Sequence, residues 1–159
     1  KAGLLAHAAQ AWLLADQAAR AEAVLTAALK LTPEDSALFV DRAQARAALK
    51  DFKGALEDLN HAIAREDRRA DAYVFRAATY RFLDKPKLAL ADVERALALA
   101  PTHAEGLLER GILRRLHQDN DGARQDWLRV LRLAPKSRAA DASRRNLEKM
   151  DVKPDGPQR

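Results

Sequence analysis

Apolar and small residues recur along the chain in two superposed rhythms, a helical one of three or four residues and a longer one of 34. Numbered in units 2–35, 36–69, 70–103 and 104–137, the small residues fall into columns. Ala9, Ala43, Ala77 and Gly111 share position 8, Ala21, Ala55, Ala89 and Ala123 position 20, and Ala28, Ala62, Ala96 and Val130 position 27. Larger residues line up beside them: Leu5, Phe39, Tyr73 and Leu107 at position 4, Leu25, Leu59, Val93 and Trp127 at position 24, and Leu29, Ile63, Leu97 and Leu131 at position 28. Positions 4, 8 and 11 lie on one helical stripe and 20, 24, 27 and 28 on another, which predicts two amphipathic helices per unit. The small columns allow the two backbones to approach closely. Asp51-Phe52-Lys53, Asp84-Lys85-Pro86 and Asp119-Asn120-Asp121 interrupt the pattern mid-unit with capping chemistry. Pro33, Pro101 and Pro135 stop the second helix at position 32, where the second unit carries Asp67. No strand-like alternation competes, so the expected fold is all-α and built by stacking units that cannot bury their apolar faces alone.

Units of this length with these columns resemble the tetratricopeptide repeat, whose pattern places a bulky residue at 4, small residues at 8, 20 and 27, an aromatic or apolar residue at 24 and proline at 32. The third unit carries it through Tyr73, Ala77, Tyr80, Ala89, Ala96 and Pro101, and the fourth through Leu107, Gly111, Ala123, Trp127 and Pro135. The second departs at Arg46, where an aromatic is common, and at Asp67. The first keeps an aromatic, Trp12, at position 11. The resemblance implies a right-handed superhelix of four antiparallel helix pairs. After Pro135 a further helix is expected over 138–150, with Ala139, Ala142 or Ser143, Asn146, Leu147 and Met150 on one side and Arg144, Arg145 and Lys149 among its polar residues. Position 8 would be Arg145, so this segment is read as a capping helix outside the repeat register. The tail from Asp151 to Arg159, with Pro154, Gly156 and Pro157, is expected to be disordered.

A second pair of columns is charged. Arg42, Arg76 and Arg110 occupy position 7, and Asp58, Asp92 and Asp126 position 23. Matching charges at constant spacing point to structural ion pairs, formed within a unit or across to its neighbour. The functional alternative is an arginine ladder for an acidic ligand, which would leave the arginines free.

In the family this chain resembles, function resides on a concave face lined by positions 2, 5, 6, 9, 12 and 13 of the first helices. The resemblance assigns that face to Ala6, His7, Gln10, Leu13 and Leu14, then Val40, Asp41, Gln44, Ala47 and Ala48. The third unit adds Asp71, Val74, Phe75, Ala78, Arg81 and Phe82, and the fourth Glu105, Leu108, Glu109, Ile112, Arg115 and Leu116. Val74, Phe75, Phe82, Leu108 and Ile112 form the expected anchor pocket, with Asp71, Glu105 and Glu109 toward one edge and Arg81 and Arg115 toward the other. Such a groove suits a peptide or helix of a partner protein. The subtype that grips chaperone tails uses a lysine and two asparagines, but this chain offers Ala6, Gln10 and Asp41, then Asp71 and Phe75, so that reading is rejected.

Composition narrows the alternatives. An apolar fraction of 48% with 5% aromatics matches packed helices, and the absence of cysteine excludes disulfides and thiolate metal sites. Serine occurs only at Ser36, Ser137 and Ser143, and there is no glycine-rich phosphate loop. His7, His61, His103 and His117 share no metal-ligand spacing. No enzyme activity, cofactor or metal is therefore implied. The net charge of +5 and basic runs around Arg114, Arg115, Arg144 and Arg145 raise nucleic acid as a competing partner, but 23 acidic residues are interleaved with them. Self-assembly is the other alternative, because Leu4, Leu5, Trp12, Leu13 and Leu14 give the first helix more apolar surface than one partner helix covers. Alanine- and arginine-rich usage resembles bacterial proteins of high-GC genomes. No membrane span is visible, which leaves a soluble protein of bacterial cytoplasm or periplasm as the expectation, with the compartment open. The absence of an initiator methionine points to a fragment whose upstream or targeting sequence has been removed.

Overall fold

A computed structural model describes residues 1–151. The described residues form nine helices and no strand: α1 (Ala2–Leu14), α2 (Ala18–Leu31), α3 (Ser36–Ala48), α4 (Phe52–Arg65), α5 (Ala70–Phe82), α6 (Pro86–Leu99), α7 (Ala104–Leu116), α8 (Asn120–Leu133) and α9 (Arg138–Asp151). Residues 152–159, most of the segment expected to be a disordered tail, lie outside the described residues. Asp151 itself closes α9 and pairs with Arg124 on α8, which corrects its assignment to the tail.

Each first helix turns into its partner through three residues. The middle one, Asp16, Lys50, Asp84 or Gln118, has φ between 54° and 66°, in the left-handed region. The next N–H donates back across the turn, from Gln17 to the Trp12 carbonyl, Asp51 to Arg46, Lys85 to Tyr80 and Asp119 to Arg114, at 2.8 to 2.9 Å. This left-handed stop satisfies carbonyls at the helix end. Asp51 and Asp119 then cap α4 and α8 by accepting from the Gly54 and Gly122 N–H. Asp84 does not cap α6; it takes the left-handed position, and Pro86 opens that helix instead. The second helices end at Leu31, Arg65, Leu99 and Leu133, the same register whether proline or Asp67 follows two residues later. Packing therefore sets that boundary, and proline only reinforces it.

The columns close on one another by size. Ala9, Ala43 and Ala77 stand opposite Leu25, Leu59 and Val93, whereas Gly111 gives its space to Trp127. The Trp127 indole is 1% exposed and donates from Nε1 to the Leu108 carbonyl at 3.2 Å. The core is continuous from pair to pair: Leu38 and Ala45 pack with Leu25 and Leu29, Ala72 with Val40 and Leu59, and Leu107 and Leu113 with Val93 and Leu97.

Packing between pairs sets the curvature. Each first helix touches the next first helix, α1 to α3, α3 to α5 and α5 to α7, whereas α2, α4, α6 and α8 touch no second helix of another pair. The first helices therefore line the inner face and the second helices splay along the outside. α9 continues the inner row, lying on α7 and α8. It begins 34 residues after α7, so it keeps the register of a first helix, which corrects the expectation drawn from Arg145. Arg145, Asp141 and Glu148 are exposed where a second helix would pack, while Ala139, Ala140 and Ser143 are buried against the fourth pair. Position 8 was a misleading indicator because it faces a unit's own partner helix, and α9 has none. At the other end Leu4 and Leu14 of α1 are exposed, whereas Leu5, Trp12 and Leu13 pack against the core of the first pair.

Candidate partner-binding surface

The charged columns meet inside each hairpin. Arg42 donates from Nε and Nη2 to both oxygens of Asp58 at 2.9 and 2.7 Å, Arg76 to Asp92 at 2.7 and 2.8 Å, and Arg110 to Asp126 at 2.9 and 2.7 Å. The remaining nitrogen, Nη1, reaches back to the preceding pair, to Thr26, Asn60 or Glu94. Hydrogen bonding to these aspartates holds the three guanidinium groups above their ordinary pKa, against the opposing effect of burial. Arg46 also reaches Asp58, at 3.1 Å, and Glu22, which explains its presence where an aromatic is common; Arg114 reaches Asp126 at 2.9 Å. With the donors engaged in this way, the arginine column is a set of struts and not an open anion ladder.

The inner face is less open than the sequence implies. Val40 and Val74 are 1% and 3% exposed and belong to the core between pairs, so neither lines a groove. Their position faces the adjacent first helix, a contact that a single unit does not reveal. Glu109 is likewise buried, and Arg81 donates to both of its oxygens at 2.6 and 3.1 Å. The two expected edge charges thus neutralise each other across α5 and α7. Phe75 and Leu108 are half-buried against the core. Val74, Phe75, Phe82, Leu108 and Ile112 accordingly do not make one open anchor pocket. Phe82 is 61% exposed and stacks flat on Phe52, with ring centroids 5.2 Å apart, under the Arg81 guanidinium. Gln44, Ala78, Ile112 and Arg115 are half-buried and Glu105 is exposed, while Asp71 is half-buried and bound to Arg69.

Asp41 is half-buried, and burial pushes its carboxyl above the ordinary value of 3.8; Arg69 opposes this, while Asp71 and Asp35 add to it. Its folded pKa therefore exceeds its unfolded one, so its contribution to stability is full below the ordinary aspartate value and is lost as pH rises through the folded value. Asp41→Asn is expected to raise the thermal midpoint at pH 7 and to leave it unchanged near pH 3, in melts followed by circular dichroism.

What remains open on the inner side is a row at the ends of the first helices. Leu14, Phe82 and Leu116, all at position 13, are 66%, 61% and 63% exposed. Beside Leu116 lies a cleft of about 440 Å3 lined by Ile112, Arg115, Leu116, Trp127, Asn146 and Lys149. The reading of the sequence did not place Trp127, Asn146 or Lys149 on this face. The 34-residue period held the signal, since Asn146, Lys149 and Met150 follow Ile112, Arg115 and Leu116 by 34 residues.

Antiparallel helix pairs stacked with their first helices inward define an α-helical solenoid. The family profile described as Tetratricopeptide repeat matches residues 70–103, the third helix pair. The fold of the chain is similar to that of a thermophilic tetratricopeptide-repeat protein of Thermus thermophilus, with a TM-score of 0.86 at 20% identity over 95% of this chain and 84% of that one. The first such domain of human RPAP3 gives a TM-score of 0.68 at 27% identity, over 78% and 95% of the two chains. The second RPAP3 domain, in complex with an HSP70 peptide, gives 0.64 at 20% identity, over 72% and 98%. No curated protein matches the sequence. Among the described residues no helix is long and apolar enough to cross a membrane.

Proposed function

We propose that the protein is a non-enzymatic scaffold that binds a peptide or helix of a partner protein along its inner face. Four repeats, 2–35, 36–69, 70–103 and 104–137, and a cap over 138–150 belong to this reading. The observation that carries it is the row of Leu14, Phe82 and Leu116, each more than half exposed at the same position of inner helices although the core does not use them. Large apolar side chains held open at one position of the repeat, interrupted only by Ala48 in the second unit, favour a ligand that presents apolar groups along its length. The peptide complex of the RPAP3 domain supports the use of this fold for such a ligand. Its HSP70 peptide is not carried over, because Ala6, Gln10 and Asp41 stand where the chaperone-tail subtype has its lysine and asparagines.

The test is affinity capture with the wild-type chain and with Phe75→Ala combined with Phe82→Ala, alongside light scattering over a concentration series. A monomer whose captured partner disappears in the double variant is the expected result. A specific observation also favours self-association as a second reading: Leu4 and Leu14 are exposed on α1. In that case mass rises with concentration, Leu4→Glu abolishes the rise, and capture is indifferent to the phenylalanines.

A further inference from the structure

Among the described residues, two cations on the inner face differ from the rest in having no acidic partner. Along the first helices, the residue at position 12 of one unit meets position 6 of the next, as Arg81 meets Glu109 across 28 residues. One step further the corresponding pair is Arg115 and Ser143. Serine cannot neutralise a guanidinium, and Arg115 has no acidic partner among the described residues. Ser143 is 0% exposed, and its Oγ has no hydrogen-bond partner there. Lys149, the position-12 residue of α9, is likewise unpaired among the described residues. Both line the cleft of about 440 Å3 whose other walls are Ile112, Leu116, Trp127 and Asn146. An apolar floor, an aromatic wall, an amide and two unopposed cations in one cleft form a complementary receptor for a carboxylate carried next to a bulky apolar side chain.

We propose that the cleft between α7 and α9 is the anchoring end of the groove, and that its occupant is a protein segment presenting an acidic side chain adjacent to a large apolar one. The inference rests on the groove reading and makes α9 part of the binding surface as well as a cover for the fourth pair. It also orients the ligand. Asp41 lies two pairs before the cleft, so a segment anchored there by its acidic end carries neutral or basic residues toward α3.

The probe is a pair of short peptides, acetyl-Leu-Glu-Glu-Phe-amide and its counterpart with glutamine for both glutamates, titrated into the isotope-labelled chain and followed by NMR. The expected result is that the acidic peptide alone shifts the Trp127 indole N–H and the Asn146 side-chain amide. Arg115→Gln with Lys149→Gln should weaken that binding roughly tenfold or more, the combined effect of two rim charges. Arg129→Gln with Arg132→Gln, on the outer helix α8, should leave it within about twofold. Equal binding of the two peptides, an equal loss with the α8 variant, or no shift at Trp127 overturns the inference. If the shifts instead cluster at Phe75 and Phe82, the cleft is wrong while the groove reading stands; loss of partner capture in Phe75→Ala with Phe82→Ala tests that reading separately.

Discussion

Asp126→Ala is expected to cost about 3 to 5 kcal/mol of stability, because it strands two arginines at once. Asp126 is 3% exposed and accepts from Nε and Nη2 of Arg110 and from Nη1 of Arg114. Without it, the guanidinium groups keep their desolvation cost and lose their counter-charge. Asp58 has the same two-arginine arrangement, through Arg42 and Arg46, and should behave alike. Asp92 has only Arg76 among these columns, with Tyr80 where the others place a second arginine, so Asp92→Ala should cost less. Urea unfolding followed by circular dichroism ranks the three by midpoint. Urea is the suitable denaturant because guanidinium would screen the pairs being measured. Arg76→Met with Asp92→Leu should recover most of the single-variant loss, since removing both charges removes the desolvation cost as well. A midpoint for Asp126→Ala close to that of the unaltered chain would mean that the pairs set register without adding stability.

The second large effect lies at the widest side chain of the core. Trp127→Ala is expected to cost about 3 to 5 kcal/mol, the usual range for deleting a buried aromatic. Gly111→Ala alone should cost about 1 to 3 kcal/mol, because the added Cβ runs into the Trp127 indole, which is tied to the Leu108 carbonyl by its hydrogen bond. In the Trp127→Ala background the sign should reverse. The same Cβ then enters free space, and replacing glycine inside a helix contributes up to about 1 kcal/mol. Measuring all four chains as a double-mutant cycle isolates this coupling. Additive effects would show that the two residues do not share one space.

The fold was legible because each unit repeats the same contacts. Four copies of a column remove the ambiguity that a single apolar stripe would leave, and the size exchange between Gly111 and Trp127 is visible once the columns are aligned. The partners of the arginine column were legible for the same reason, since Arg42, Arg76 and Arg110 each stand 16 residues before an aspartate. The inner face was read less well. Val40, Val74 and Glu109 are polar or apolar in ways that fit an open groove, but each lies where one first helix meets the next. α9 was misread for a related reason: it retains only the face that contacts the preceding pair, so testing its register by the column that contacts a partner helix gave the wrong answer.

By itself, the sequence determined the period, the helix pair in each unit, the small columns that bring the pair together and hence the class of solenoid. These depend on contacts between residues close in the chain, which a 34-residue repeat states four times. The tertiary structure decided which inner-face residues stay open, that among the described residues Arg81 is neutralised while Arg115 is not, and that Asn146 and Lys149 join the fourth pair in a cleft. Those outcomes follow from how far each pair rotates against the next, and that rotation is set by packing summed over a whole interface, which no single column of the sequence records.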